Sequence, residues 1–132
     1  MLGSVFTHML PDEVSHYLRE IARVLDSGGV AVVSWFLLDE ESRLGVEDGR
    51  SFLSFDVRHS SGVCRLHDSA LPEAAVAFEE AFVLSAIAAA GLRVRDRRRG
   101  AWATGRADDQ DALTLVSVVS DPDSEPRDRH HP

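Results

Sequence analysis

A helix-forming segment that leads directly into a long apolar stretch constrains the fold of this chain more than any other feature. Between residues 11 and 26, apolar side chains recur every three or four positions, which predicts a helix with one buried face. Pro11 suits the first position of that helix, and Gly28 and Gly29 supply its end. Residues 30–38 then form an apolar, β-rich run, which is typical of a central strand covered by helices on both faces. This order predicts an α/β domain built on a parallel sheet.

The segments that follow predict smaller elements of the same domain. Residues 43–50 are polar and contain glycine, so we expect a loop at the carboxyl end of the central strand. Two short apolar runs, residues 52–55 and 63–66, flank a turn sequence and predict an inserted hairpin. Helix start and stop signals at Pro72 and Gly91 predict a second helix between them.

The last third of the chain predicts an antiparallel pair of strands and then a tail. Residues 92–97 alternate apolar and charged side chains, which predicts a half-exposed strand. Residues 113–119 predict a buried strand that pairs with it across a long loop. Residues 120–132 contain three prolines and few apolar side chains, so we expect a disordered tail. We therefore predict one domain, residues 1–119, followed by this tail.

The charge balance and the cysteine content restrict partners and location. A net charge of −8 disfavours binding to the phosphate backbone of nucleic acids. The arginine cluster at residues 93–99 is expected to lie on the solvent-exposed face of a strand. The longest apolar run has about half the length that a membrane-spanning helix needs. Cys64 is the only cysteine and cannot form an internal disulfide. These features predict a cytoplasmic protein that binds neither nucleic acid nor membrane.

The order of the elements and several short motifs resemble the carboxyl-terminal half of a class I S-adenosylmethionine-dependent methyltransferase. The similar segments are residues 4–9 (Ser-Val-Phe-Thr-His-Met), residues 17–25, Gly28-Gly29, residues 90–92 (Ala-Gly-Leu), residues 100–102 (Gly-Ala-Trp) and residues 110–111. The most specific is Arg-Val-Leu-x-x-Gly-Gly before an apolar run. The resemblance implies a partial Rossmann-like sheet with helices on both faces. In that sheet the last strand, residues 113–119, inserts antiparallel between the fifth strand, residues 30–38, and the sixth, residues 92–97.

The resemblance also implies site residues and an activity. In this family the segment after the fourth strand lines the cofactor and the substrate, which makes Ser4, Val5 and Phe6 candidates for cofactor binding and His8 the candidate catalytic base. His8 could deprotonate an acceptor hydroxyl or amine, because imidazole groups titrate near neutral pH. Alternatively, Phe6 is a core anchor and His8 is a polar residue of a turn. The implied activity is methyl transfer from S-adenosylmethionine to a small-molecule acceptor.

Other candidate residues lie in the predicted loops. Trp102 is expected at the rim of a substrate pocket. Asp39, at the end of the central strand, could hold a cationic substrate or could simply be a solvated residue of an acidic loop. His59, Cys64 and His67 are near enough in sequence to suggest zinc. A closed structural site needs a fourth ligand, however, so we favour loop histidines beside a buried cysteine and no metal. No Gly-x-Ser-x-Gly turn supports a hydrolase.

Two elements of the resembled family are missing from the sequence. They are the glycine-rich turn that approaches the cofactor and the acidic residue that binds its ribose. We therefore expect this chain alone to bind S-adenosylmethionine weakly and to be inactive, as a truncated enzyme. The alternative is a non-catalytic remnant that acts as an interaction module. In either case the strand at residues 30–38 would have an unpaired edge, which predicts a homo-oligomer formed through that edge.

Overall fold

The computed structural model describes residues 2–25, 28–105 and 109–118, without the side chains of Leu2 and Ser4. Its helices and strands, in chain order, are β1 (Leu2–Val5), α1 (Pro11–Val24), β2 (Val30–Leu38), α2 (Glu40–Glu47), β3 (Val57–Arg58), β4 (Cys64–Leu66), β5 (Val76–Glu79), α3 (Glu80–Ala89), β6 (Leu92–Arg98) and β7 (Asp111–Ser117). Single 3₁₀ turns cover Pro72–Ala74 and Trp102–Thr104. The disordered tail predicted for residues 120–132 lies outside the described residues.

The strands form one mixed sheet with β2 at its centre. The strand order is β3-β4-β5-β2-β7-β6, and β1 also pairs with β2. Strand β7 is antiparallel to both β2 and β6, whereas β1 and β5 run parallel to β2. The α/β class is therefore confirmed. The insertion of β7 between β2 and β6 is also confirmed.

Alternate side chains of β2 enter two separate cores, as the two-residue period of a strand requires. Ala31, Val33, Trp35 and Leu37 pack in a cluster with buried residues of α1 and α3. Phe36 and Leu38 pack on the other face with Val46 of α2, Phe55 and Trp102. The carboxyl-terminal half of β2 is thus covered by helices on both faces. This explains why that part of the strand is apolar without alternation.

The predicted loop at residues 43–50 is wrong over most of its length, because α2 occupies it. Asp39 is the N-cap of α2: its carboxylate accepts a hydrogen bond of 2.9 Å from the Ser42 backbone N–H. The Ser42 hydroxyl in turn accepts one of 2.9 Å from the Asp39 backbone N–H. This reciprocal capping stabilises the start of a helix. Gly45 suggested a loop, but in the structure it is an interior helix position.

The predicted second helix and the first strand of the hairpin also need correction. Only Glu80–Ala89 is α-helical, because Pro72–Ala74 is a single 3₁₀ turn and the segment Val76–Glu79 forms β5, which pairs with the carboxyl end of β2. The hairpin turn falls where it was predicted, with Gly62 at a φ of 79° and its N–H bonded to the His59 carbonyl. Its first strand is Val57–Arg58 rather than residues 52–55.

The edge of β2 that was expected to be open is paired. Strand β1 covers it from Ala31 to Ser34, and β5 covers it from Phe36 to Leu38. The two covering strands are continuous, because the Val76 N–H donates a hydrogen bond of 2.8 Å to the Thr7 carbonyl. The expectation of a homo-oligomer formed through this edge therefore loses its structural basis. Among the described helices, none is long and apolar enough to cross a membrane.

Candidate functional site

A cleft opens where β1 ends and β5 begins along the same edge of β2. The chain leaves β1 after Val5 and turns through Thr7 and His8 before α1 starts. The 3₁₀ turn Pro72–Ala74 approaches the same point from the other side and leads into β5. The cleft has a volume of about 330 Å³ and is lined by Thr7, His8, Phe36, Phe52, Leu53, Ala74, Ala75 and Gln110. That volume lies at the lower end of the range for small-molecule sites, roughly 300–1,000 Å³.

His8 is held in one orientation at the cleft. Its Nδ1 lies 2.9 Å from the Ala74 carbonyl and 3.2 Å from the Glu73 carbonyl. Because a carbonyl oxygen only accepts hydrogen bonds, we assign the proton of the neutral ring to Nδ1. The other ring nitrogen, Nε2, then carries the lone pair. This is the tautomer that a general base needs, and the side chain is exposed to solvent.

Thr7, beside His8, is one of the lining residues, and its hydroxyl is buried next to the cleft. The residue is 0% exposed, and its Oγ1 has no hydrogen-bond partner in the described part of the chain. A buried polar group without a partner costs about 1–3 kcal/mol. A ligand or water that reached this hydroxyl would recover part of that cost.

Aromatic rings form the floor and one wall of the cleft. Phe36 is 4% exposed, and its ring lies 5.1 Å from that of Trp102 and 5.4 Å from that of Phe55, measured between centroids. These contacts fix the floor. Phe52 is 44% exposed, and its backbone N–H donates a hydrogen bond of 2.7 Å to the Trp102 carbonyl. Ala74 and Ala75 provide small side chains to the lining.

Asp111 supports this region from beneath. The residue is buried, and its Oδ2 accepts hydrogen bonds of 2.9 Å from the Trp102 indole Nε1 and from the Leu37 backbone N–H. Its Oδ1 accepts one of 2.8 Å from the Gly100 backbone N–H. Three donors therefore stabilise one buried carboxylate, which fixes the loop before β7 against β2.

Two of the three residues proposed for cofactor binding, Val5 and Phe6, do not line the cleft. Phe6 is fully buried, and its ring packs 4.6 Å from that of Trp35 in the core under α1. The alternative interpretation, a core anchor, describes its position. Val5 is 53% exposed, and its partner in the β1–β2 ladder is Ser34, on the sheet face opposite the Phe6 ring. Ser4 lies in β1, and its side chain is outside the description.

The two residues proposed for substrate binding have other partners. Trp102 is 1% exposed and lies in the core beside Phe36, so it is not at a rim. Its role at the cleft is to position Phe36 and Phe52. Asp39 caps α2 and accepts hydrogen bonds from Arg97 and Arg99, so the negative charge of its carboxylate is already paired with two arginines.

The ionisation of Asp39 reflects this engagement. Burial alone would raise the pKa of the carboxyl group. Hydrogen bonds from Arg99 and Ser42, together with the positive charge of Arg99, outweigh burial and hold the pKa well below its usual range. Asp39 is therefore an ionised residue with a structural role. It is not simply a solvated residue of an acidic loop, which was the alternative interpretation.

The arginines at residues 93–99 are exposed to solvent, as predicted, and those at the end of β6 also form ion pairs. Arg97 contacts both Asp39 and Glu80, which lie at the amino ends of α2 and α3. Arg98 contacts Asp109 at 2.9 Å. The pairs of Arg97 connect the end of β6 to α2 and α3, and the pair of Arg98 connects it to the segment before β7.

The residues considered for zinc have separate local partners. His59 bonds to the Ser61 hydroxyl at 2.8 Å, and His67 bonds to the Ser54 carbonyl at 2.8 Å. Cys64 is buried, and burial raises the pKa of its thiol to about 11. A thiol with a raised pKa is a poor thiolate ligand at neutral pH. Within the described ranges, no three His, Cys, Asp or Glu side chains are grouped as a metal site.

Of the sequence-predicted site residues whose side chains are described, only His8 lines the cleft. The others in the lining were missed because Phe36 was read as a buried strand residue and Phe52 as part of a hairpin strand. A signal existed for Thr7, which directly precedes His8 in the segment that follows β1. The position of Ala74 and Ala75 depends on β5, which was predicted as helix.

No model of a known protein family matches this chain, and no solved structure matches it either.

Proposed function

We propose that this chain forms the acceptor-binding side of an S-adenosylmethionine-dependent methyltransferase. The observation that carries the proposal is His8, which the resemblance assigns to the acceptor and which lies at an apolar cleft in the tautomer of a base. The sheet adds support. Its order β1-β2-β7-β6, with β7 antiparallel, is the order that the resemblance to a Rossmann-like methyltransferase implies.

In this proposal His8 takes a proton from the acceptor. An acceptor hydroxyl or amine in the cleft donates a hydrogen bond to Nε2, and the proton moves to that atom as the acceptor becomes a better nucleophile. The resulting imidazolium is stabilised at Nδ1 by the Ala74 carbonyl at 2.9 Å. The aromatic floor and the Phe52 wall hold the acceptor beside His8.

The residues assigned to the cofactor do not fit it in this chain. Phe6 has no exposed surface, and Val5 projects from the face of the sheet opposite the Phe6 ring. The glycine-rich turn is absent from the 132 residues. We therefore propose that another polypeptide segment supplies the cofactor site, and we derive no step through the cofactor.

The alternative function, a non-catalytic module that self-associates, has less support. It relied on an open edge of β2, and that edge is covered by β1 and β5. A non-catalytic module also has no need for a base such as His8, held in one orientation at a cleft.

The test is methyl transfer by the native polypeptide that carries these residues, purified from its source. It is incubated with S-adenosylmethionine labelled in the methyl group and with a small-molecule extract of the same cells. We expect label in the extracted small molecules, and a loss of roughly 10²–10⁴-fold with His8→Ala. The absence of both transfer and cofactor binding in that polypeptide would overturn the proposal.

A further inference from the structure

The described lining of the cleft contains no Asp, Glu, Lys or Arg side chain, and His8 is its only titratable residue. The apolar surface comes from Phe36, Phe52, Leu53, Ala74 and Ala75. An ionised ligand group would lose its hydration there without gaining a counter-ion, which is costly. The net charge of −8 further disfavours anions near this surface. The cleft therefore selects for an uncharged ligand.

The side chains that line the cleft favour an aromatic ring. Phe36, which is fixed by contacts with Phe55 and Trp102, and Phe52 supply aromatic surface, and Ala74 and Ala75 add only small side chains. Aromatic ligands gain offset or edge-to-face contacts with such rings in addition to apolar burial. A branched aliphatic ligand would make fewer of these contacts.

The polar side chains in the lining are those of Thr7, His8 and Gln110, and the first two fit a ligand hydroxyl. His8 Nε2 is an acceptor once Nδ1 is committed to the Ala74 carbonyl. The Thr7 hydroxyl is buried without a partner among the described residues. A ligand hydroxyl donates one hydrogen bond and accepts others, so it satisfies an acceptor such as Nε2 and leaves lone pairs for a donor.

We infer that the cleft binds a neutral aromatic compound with one hydroxyl group, of the phenol class, with that hydroxyl at His8. This inference deepens the proposed function, and it rests on that proposal for treating the bound hydroxyl as the methyl acceptor. Binding itself requires no cofactor. It can therefore be measured on the chain described here.

The experiment is calorimetric titration of the 132-residue chain with 2-naphthol, naphthalene and 2-naphthoate. These probes share one ring system and differ in the hydroxyl and in charge. We expect 2-naphthol to bind at least about tenfold more tightly than naphthalene, which lacks the hydroxyl. We expect no measurable binding of 2-naphthoate.

Variants locate the binding. Phe52→Ala and His8→Ala should each weaken 2-naphthol binding by about tenfold or more. Leu71→Ala should leave it unchanged, since Leu71 is 63% exposed and outside the lining. Phe52→Leu, with circular dichroism on every variant, provides a second substitution should Phe52→Ala fail to fold.

Three results would overturn the inference. They are no binding of 2-naphthol, equal binding of 2-naphthoate, and unchanged binding by folded Phe52 and His8 variants. None of them decides methyl transfer, which is measured separately on the native polypeptide with cofactor. Methyl transfer without 2-naphthol binding would mean that the acceptor belongs to another chemical class. Binding of 2-naphthol without methyl transfer would support the inference about the cleft and contradict the proposed methyltransferase function.

Discussion

The indole Nε1 of Trp102 donates a hydrogen bond of 2.9 Å to Oδ2 of Asp111, and both residues are buried. The same oxygen accepts from the backbone of Leu37 in β2. This relationship determines the floor of the cleft, because the ring of Trp102 packs on Phe36 and its carbonyl holds Phe52. One carboxylate thus connects the central strand, the loop before β7 and the proposed binding site.

Asp111→Ala should destabilise the fold strongly. It removes the acceptor of three hydrogen bonds and leaves the donors of Leu37, Gly100 and Trp102 without it. We expect a loss of at least about 3 kcal/mol in the free energy of unfolding, measured in urea. Asp56→Ala, at an exposed aspartate, is the control and should change the free energy by less than about 0.5 kcal/mol. Equal effects of the two variants would contradict the structural role of Asp111.

Gly45→Ala should also destabilise the protein, although alanine favours helices. A Cβ atom at this position would lie 2.4 Å from the Ala103 carbonyl oxygen, so α2 and the turn at Trp102 would have to separate. We expect a cost of about 1–3 kcal/mol in place of the usual gain of up to about 1 kcal/mol. Gly3→Ala is the matched control, because a Cβ there meets nothing within 4 Å. A stabilising effect of Gly45→Ala would show that α2 packs less closely than described.

Asp39→Asn should reduce the loss of stability in acid. The pKa of Asp39 is lower in the folded protein than in the unfolded chain, where it is roughly 3.9. The unfolded chain therefore binds the proton first as the pH falls. The ion pairs with Arg97 and Arg99 contribute their full stability above the pKa of the unfolded chain. This stability is lost as the pH falls from that value towards the lower pKa of the folded protein.

The variant should be less stable than the original chain at pH 7, and the difference should shrink as the pH falls through about 4. Asparagine also caps helices well, so α2 should keep its start. The measurement is urea unfolding at several pH values, with Asp56→Asn as the control for removing one carboxylate. A difference that stays constant from pH 7 to acid would refute the ion-pair explanation.

Parts of the fold were predictable because local and long-range preferences agree in them. Residues 30–38 are apolar on both faces, and their bounds as a strand were predicted correctly. The start of α1 at Pro11 and the turn at Gly62 were equally clear, since each depends on backbone properties of one residue. The place of β7 between β2 and β6 came from the resemblance and not from the residues alone.

Other parts depend on contacts that no local pattern reveals. The segment from Val76 to Glu79 continues into a helical sequence, and its pairing with β2 on one side and β4 on the other makes it a strand. Trp102 lies between two glycines in the sequence, which favoured an exposed loop. Its burial depends on the hydrogen bond that its indole N–H donates to Asp111, which lies nine residues further along the chain. The cleft could not be predicted for the same reason, since its lining comes from five separate parts of the chain.

His8→Ala in the native polypeptide should lower turnover far more than cofactor affinity. Its Nδ1 is committed to the Ala74 carbonyl, and its proposed role is towards the acceptor. We expect kcat to fall roughly 10²–10⁴-fold with the acceptor saturating. Phe52→Leu should mainly raise KM, since it alters a wall and leaves the base. Unchanged turnover for His8→Ala would reduce His8 to a residue of a turn.

Titration of the 132-residue chain with S-adenosylmethionine tests the central claim most directly. The claim is that these residues form the acceptor side of a methyltransferase and that the cofactor site belongs to another segment. Phe6 is buried against Trp35, and the sequence has no glycine-rich turn after a strand. We expect no saturable heat of binding at micromolar concentrations. A micromolar Kd for this chain alone would contradict it and would require a cofactor site built from other residues.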